Sequence, residues 1–128
     1  MTKNIIILSL SIIAILGCSN SINNVNDIDP KLIGSWNAKI TKTQNPISKT
    51  WKIKRNSDGT FSSDEILKIA NRSQNIKRSG KWWTQNGIYY LQDERNKDTL
   101  TYKYSILNAG KVKFNSTKDS LEFVETKE

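Results

Sequence analysis

Between positions 100 and 106 every second residue is large and apolar: Leu100, Tyr102, Tyr104 and Ile106 alternate with Thr101, Lys103 and Ser105. A period of two puts one set of side chains on one face of an extended chain and the other set on the opposite face, which describes a half-buried strand and fits no helix. The same period recurs from Lys31 onward. Trp36, Ala38 and Ile40 alternate with Asn37, Lys39 and Thr41, Trp51 and Ile53 alternate with Lys52 and Lys54, and Val112 with Phe114 and Leu121 with Phe123 repeat the pattern. Turn signals separate these runs at Asn56-Ser57-Asp58-Gly59, Gln85-Asn86-Gly87 and Asn108-Ala109-Gly110. Gly and Asn suit such sites because they tolerate a positive φ.

Helical periodicity is nearly absent, so the chain from Lys31 reads as all-β. One stretch, Ser62 to Arg72, fits either a short amphipathic helix lined by Ile66, Leu67, Ile69 and Ala70 or a bulged strand, and the strand suits its surroundings better. Ile76, Gly80, Trp82 and Thr84 then share one face. About eight strands joined in order by short turns close most simply into an up-and-down antiparallel barrel, which leaves no edge open to aggregation. Only 36% of the residues are hydrophobic, and the core must therefore be aromatic. All four Trp, four Tyr and three Phe lie between Trp36 and Phe123.

The amino terminus is of a different kind. Lys3 precedes an aliphatic run from Ile5 to Gly17 that is broken only by Ser9 and Ser11. Such a run, preceded by a positive charge, is the pattern of a signal peptide helix, and it falls short of the ~20 residues that cross a bilayer. It ends in Ile15-Leu16-Gly17-Cys18, which contains the single Cys of the chain. This segment resembles the lipobox of bacterial lipoproteins. The resemblance implies cleavage after residue 17, acylation of Cys18, palmitate included, and membrane anchoring through Cys18; Ser19 in the next position implies sorting to the outer membrane. More than one acyl chain makes such an anchor stable, at about 0.8 kcal/mol per buried methylene. Residues 19–30, rich in Asn and Ser, read as a flexible tether. The expected organisation is thus signal peptide over 1–17, lipidated Cys and tether over 18–30, and one domain over 31–128.

Within that domain, Leu32-Ile33-Gly34-Ser35-Trp36, Asp58-Gly59-Thr60-Phe61, Gly80-Lys81-Trp82 and Tyr102-Lys103-Tyr104-Ser105-Ile106 occur in the order and spacing of small bacterial lipocalin-like domains, which the chain resembles over nearly all of 31–128. The resemblance implies a calycin-type barrel that holds a small apolar ligand, with Trp36 plugging its closed end. The chain departs from full-length lipocalins in its short domain and in lacking a Thr-Asp-Tyr segment, a disulfide pair and a late Arg to cover Trp36. An interior filled by its own aromatic side chains is the alternative to a cavity.

The chemistry available is narrow. With no His and one Cys there is no imidazole base, no disulfide and no Cys-cluster metal site, and neither a cofactor nor a metal is implied. Asp64-Glu65 and Asp93-Glu94 are adjacent pairs whose side chains point to opposite faces of a strand, unlike a carboxylate dyad. Phosphate loops and nucleophile elbows are likewise missing, and the domain reads as non-enzymatic. The net charge of +8 of the whole chain is concentrated between Lys31 and Lys81. Lys49, Lys52, Lys54 and Arg55 around the second strand, with Arg72, Lys77 and Lys81 in the fourth, form an expected basic surface suited to an anionic envelope component or an acidic protein. The envelope location leaves nucleic acid out of account. Arg78 shares its parity with Ile76 and Trp82. It faces either the interior, as contact for an anionic headgroup whose tail lies on Trp36, Trp82 and Tyr104, or water at the rim. Trp83, of opposite parity to Trp82, is expected outside. Two mechanisms follow: an interior that binds a small amphiphile or lipid, or a packed barrel whose basic face docks an anionic partner as adaptor, inhibitor or immunity protein.

Overall fold

The computed structural model describes residues 27–42 and 47–128, with the side chain of Lys42 left aside. The expected signal peptide, Cys18 and most of the expected tether lie outside the described residues. Among those residues eight strands follow one another: β1 (Gly34–Lys42), β2 (Ile47–Arg55), β3 (Thr60–Ile69), β4 (Arg72–Gln85), β5 (Ile88–Asp93), β6 (Thr99–Asn108), β7 (Lys111–Ser116) and β8 (Glu122–Lys127). Each pairs antiparallel with the next, and β8 returns to β1, so the sheet is a closed up-and-down barrel. The all-β reading and the strand count hold.

The turns form where the sequence supplies them. Gly59 at φ 87° ends the Asn56–Gly59 turn, and Asn86 and Gly87, at φ 51° and 78°, make the two-residue loop between Gln85 and Ile88. Ser62 to Ile69 belongs to a strand, but the expected bulge is absent, because β3 keeps continuous register with both neighbours from Thr60–Lys81 to Ile69–Arg72. The irregularity lies instead between Ile106 and Asn108. Gly80 is needed for close approach rather than for its φ. A Cβ there would stand 2.0 Å from the Gln92 carbonyl oxygen, where β5 runs out across β4. That accounts for the Gly of Gly80-Lys81-Trp82.

Inward-facing aromatics make up most of the core, as a lean composition requires. Trp36, Phe61, Trp82, Tyr89 and Phe114 are all 3% exposed or less, and Tyr89 touches both Tyr102 and Phe114. A 3-10 turn, Pro30–Leu32, closes one end by setting a fully buried Leu32 against this core. The Asp29 carboxylate caps the turn, accepting from the Lys31 amide at 2.9 Å. The chain joins the barrel earlier than the expected boundary at Lys31: Asp27 forms a β-bridge with Thr84, and Asp29 accepts from the Tyr104 hydroxyl at 2.7 Å. Carboxylate and backbone contacts thus hold residues 27–30, which the Asn- and Ser-rich composition had assigned to the tether. The sheet closes on itself around a core drawn from residues 28–123, and the domain is self-contained.

Candidate functional site

Opposite the 3-10 turn the barrel is not filled. A cavity of about 250 Å³ lies between the upper halves of the strands, with Trp51, Ile53, Phe61, Leu91, Tyr102 and Phe123 as its apolar wall. At ~30 Å³ of liquid volume per water, that is room for about eight waters or a small organic molecule. The exposed residues Asn96, Asp98 and Leu100 line its outer margin, so the space reaches the surface there.

Strand parity decides which polar groups join this wall. In β2 the odd positions face inward with Trp51 and Ile53, which brings Lys49 and Arg55 inside as well. Arg55 is 1% exposed and lies beneath the cavity floor. Its Nη2 donates to Glu125 Oε1 at 2.6 Å and its Nε to the Tyr89 hydroxyl at 2.9 Å, while its guanidinium lies 4.7 Å from the Tyr89 ring centre. The Trp51 indole donates to the other oxygen of Glu125 at 3.0 Å. Burial pushes the Tyr89 phenol far above its ordinary range, so it remains a neutral hydroxyl.

A second network runs along the mouth. Glu65, with its side chain 7% exposed, receives Lys49 Nζ at 2.7 Å on one oxygen and Arg78 Nε on the other. Arg78 Nη1 continues to Asp93 Oδ2 at 3.1 Å. The Asp93 carboxyl is held below its ordinary range, first by the Arg95 amide that donates to it and then by Arg78. Both mouth cations are therefore already paired with carboxylates.

These positions correct several expectations. Of the four residues expected at a ligand, only Arg78 borders the cavity. It faces inward and is partly exposed, so the two orientations weighed for it coincide at a rim. Trp36 and Trp82 are 1% exposed at the closed end, where their indoles donate to the carbonyls of Leu32 and Asn56 at 3.0 and 3.1 Å. Tyr104 is tied to Asp29 at that same end; its neighbour by parity, Tyr102, takes the place at the cavity. On the expected basic surface Lys52, Lys54, Lys77 and Lys81, with Arg72, are exposed. Lys49 and Arg55 are not part of it, because their parity sends them into the barrel. Trp83 is partly buried and stacks on Tyr90, with ring centres 5.2 Å apart. Glu65 and Glu125 were missed, although each lies an even number of residues from an inward aromatic: four from Phe61 and two from Phe123.

The late Arg missing over Trp36 has a counterpart. Lys127 Nζ lies 5.6 Å from the Trp36 ring centre, at cation–π distance. Comparison with known proteins finds no family model that matches this chain and no curated protein that matches it.

Proposed function

We propose that this chain is a non-enzymatic binding protein of a bacterial envelope, of lipocalin-like design, anchored by acylated Cys18 to the outer membrane and carrying a small amphiphilic ligand in its barrel. The observation that carries this reading is the cavity of about 250 Å³, walled by aromatic and aliphatic side chains at one end of a barrel whose other end is closed. Ligand sites are concave, mostly apolar and furnished with a few placed polar groups, and this one has Glu65, Arg78 and Asp93 at its mouth. The anchor rests on the Ile15-Leu16-Gly17-Cys18 pattern.

The test is native mass spectrometry of residues 19–128, made without signal or anchor. Ser63 also lines the cavity, and a discrete co-purified mass that organic extraction removes, and that a cavity-filling Ser63→Leu variant retains poorly, is the expected result. A clean apo mass that no added amphiphile alters would overturn it. The address is checked separately: Cys18→Ala should leave the membrane fraction, and unchanged fractionation would sink the lipoprotein reading.

A second reading draws on the outside of β1 to β4. There Lys39, Lys52, Lys54, Lys68, Lys77 and Lys81 are exposed, with Asp64 as the one acidic residue facing outward from these strands. Asn37 Oδ1 lies buried at this face without a hydrogen bond to a described residue. In this reading the face docks an anionic envelope component or an acidic protein, with binding that weakens as salt rises.

A further inference from the structure

The protein carries a charge of +8, yet its cavity is acidic. Glu65, Asp93, Asp98 and Glu125 border it, against Lys49 and Arg78. Arg55 offsets Glu125 from below and Arg95 acts on Asp93 from outside the cavity, so that among the groups lining the cavity itself three carboxylates face two cations. Both cations are engaged: Lys49 holds Glu65, and Arg78 bridges Glu65 and Asp93. The Asp98 carboxylate, at the exposed margin, makes no ion pair among the described residues.

A second and independent feature lies in the wall. Tyr102 is 9% exposed and borders the cavity between Tyr89, Phe114 and Phe123, and its hydroxyl makes no hydrogen bond to a described residue. That hydroxyl is not sealed in the core, since Asn37 Oδ1 is the one fully buried side-chain polar atom without a partner among the described residues; it lies at the cavity, where it can accept or donate a hydrogen bond. Burial pushes this phenol up to about 12, and the carboxylates of Asp119, Glu125 and Glu65 act in the same direction. Tyr102 therefore stays a neutral hydroxyl at neutral pH.

Building on the cavity reading above, we infer that the ligand is a cation: a small ammonium compound whose apolar part lies against Trp51, Tyr102 and Phe123 and whose charged nitrogen lies among Glu65, Asp93 and Asp98. Such a nitrogen supplies the cation that Asp98 lacks among the described residues and N–H groups for the Tyr102 oxygen. The aromatic walls favour a cation further, since their faces are electron-rich. An anionic headgroup would have to displace carboxylates from Arg78 and Lys49 and would meet the others at close range. The role first expected of Arg78, as contact for an anionic headgroup, passes to the carboxylates that it positions.

The experiment titrates residues 19–128 by calorimetry with three probes of similar size: 2-phenylethylammonium, 2-phenylethanol and 3-phenylpropionate. The cation should bind more tightly than the anion by about tenfold or more. Asp98→Asn, at an exposed site outside both networks and hence safe for folding, should weaken the cation by about two- to fivefold and leave the alcohol unchanged. Raising salt should weaken the cation alone. If 3-phenylpropionate binds as well as the cation or better, the cationic ligand falls while the cavity reading stands. If none of the three binds to a chain that melts cooperatively, both fall.

Discussion

Glu125 receives two donors of different kinds, the Arg55 guanidinium and the Trp51 indole, at a site 2% exposed. A buried ion pair of this sort is held by geometry, because the attraction must repay the desolvation of both charges. Removing one partner strands the other, and Glu125→Ala should cost about 3–5 kcal/mol in urea unfolding. Arg55→Met with Glu125→Leu replaces both charges by apolar groups in an aromatic setting and should recover most of that loss. A double variant as unstable as Glu125→Ala would mean that the pair itself, and not the orphaned Arg55, carries the stability. The pair was only half legible in the sequence. Arg55 lies two residues from Ile53 and Glu125 two from Phe123, so parity points both inward, although Arg55 was expected on the basic surface and Glu125 at no site. Their charge argued for the surface, and no feature of a single strand shows that the opposite charge will meet it across the barrel.

At the scale of elements, strands and hairpins were easier to read than their ends. Alternation at Trp36, Trp51 and Tyr102 and the Asn86-Gly87 turn located their elements because each rests on local geometry, period two or a positive φ. The β3–β4 hairpin lacked such a signal, and its loop explains why. Ile69 pairs with Arg72, leaving Ala70 and Asn71 as a two-residue connection in which Ala70 stands at φ 55°. Ala gives no turn signal and is strained in that region by about 1–2 kcal/mol. Ala70→Gly relieves the strain, and the greater freedom of Gly in the unfolded chain offsets about 0.4–1 kcal/mol of the gain. The net expectation is a small stabilisation, about 0.5 kcal/mol, seen as a raised thermal midpoint with an unchanged denaturant slope. A lowered midpoint would show that Ala70 is not strained. The cavity residues were the least legible, since Trp36, Trp82 and Tyr104 share the inward face with Trp51 and Tyr102. Period two fixes a face but not a depth, and depth along the barrel is set by stagger and by the 3-10 turn that takes up the closed end.

For the molecule as a whole, closure is the property everything else depends on, and it is unevenly supported. β1 meets β2 in unbroken register from Gly34–Arg55 to Lys42–Ile47, whereas it meets β8 only at Trp36–Lys127 and Asn37–Thr126. The last two residues hold β8 on both sides, to the turn before β7 and across the seam to β1. The Lys127 amide donates to the Gly110 carbonyl at 2.8 Å, the Glu128 amide to the Ser35 carbonyl at 3.0 Å, and the Lys127 ammonium lies over Trp36. Two backbone hydrogen bonds at about 1 kcal/mol each and one cation–π contact at about 0.5–1 kcal/mol make the pair worth about 2–3 kcal/mol. A chain ending at Thr126 should lose that much stability, read as a lower urea midpoint. Its slope should be unchanged if the barrel still unfolds as one unit, because the slope follows the surface exposed. Hydrogen exchange locates the effect: amides of β1 and β8 should exchange faster, while those of β3 and β4, paired from Thr60–Lys81 to Ile69–Arg72, should change only as far as global stability falls. Equal acceleration across all strands would mean that the seam is no weaker than the rest. If the parent chain retains the proposed ligand, its loss from this variant without loss of cooperativity would place an opening motion of the cavity at the seam, where Glu125 of β8 borders the cavity and its strand carries the fewest partners.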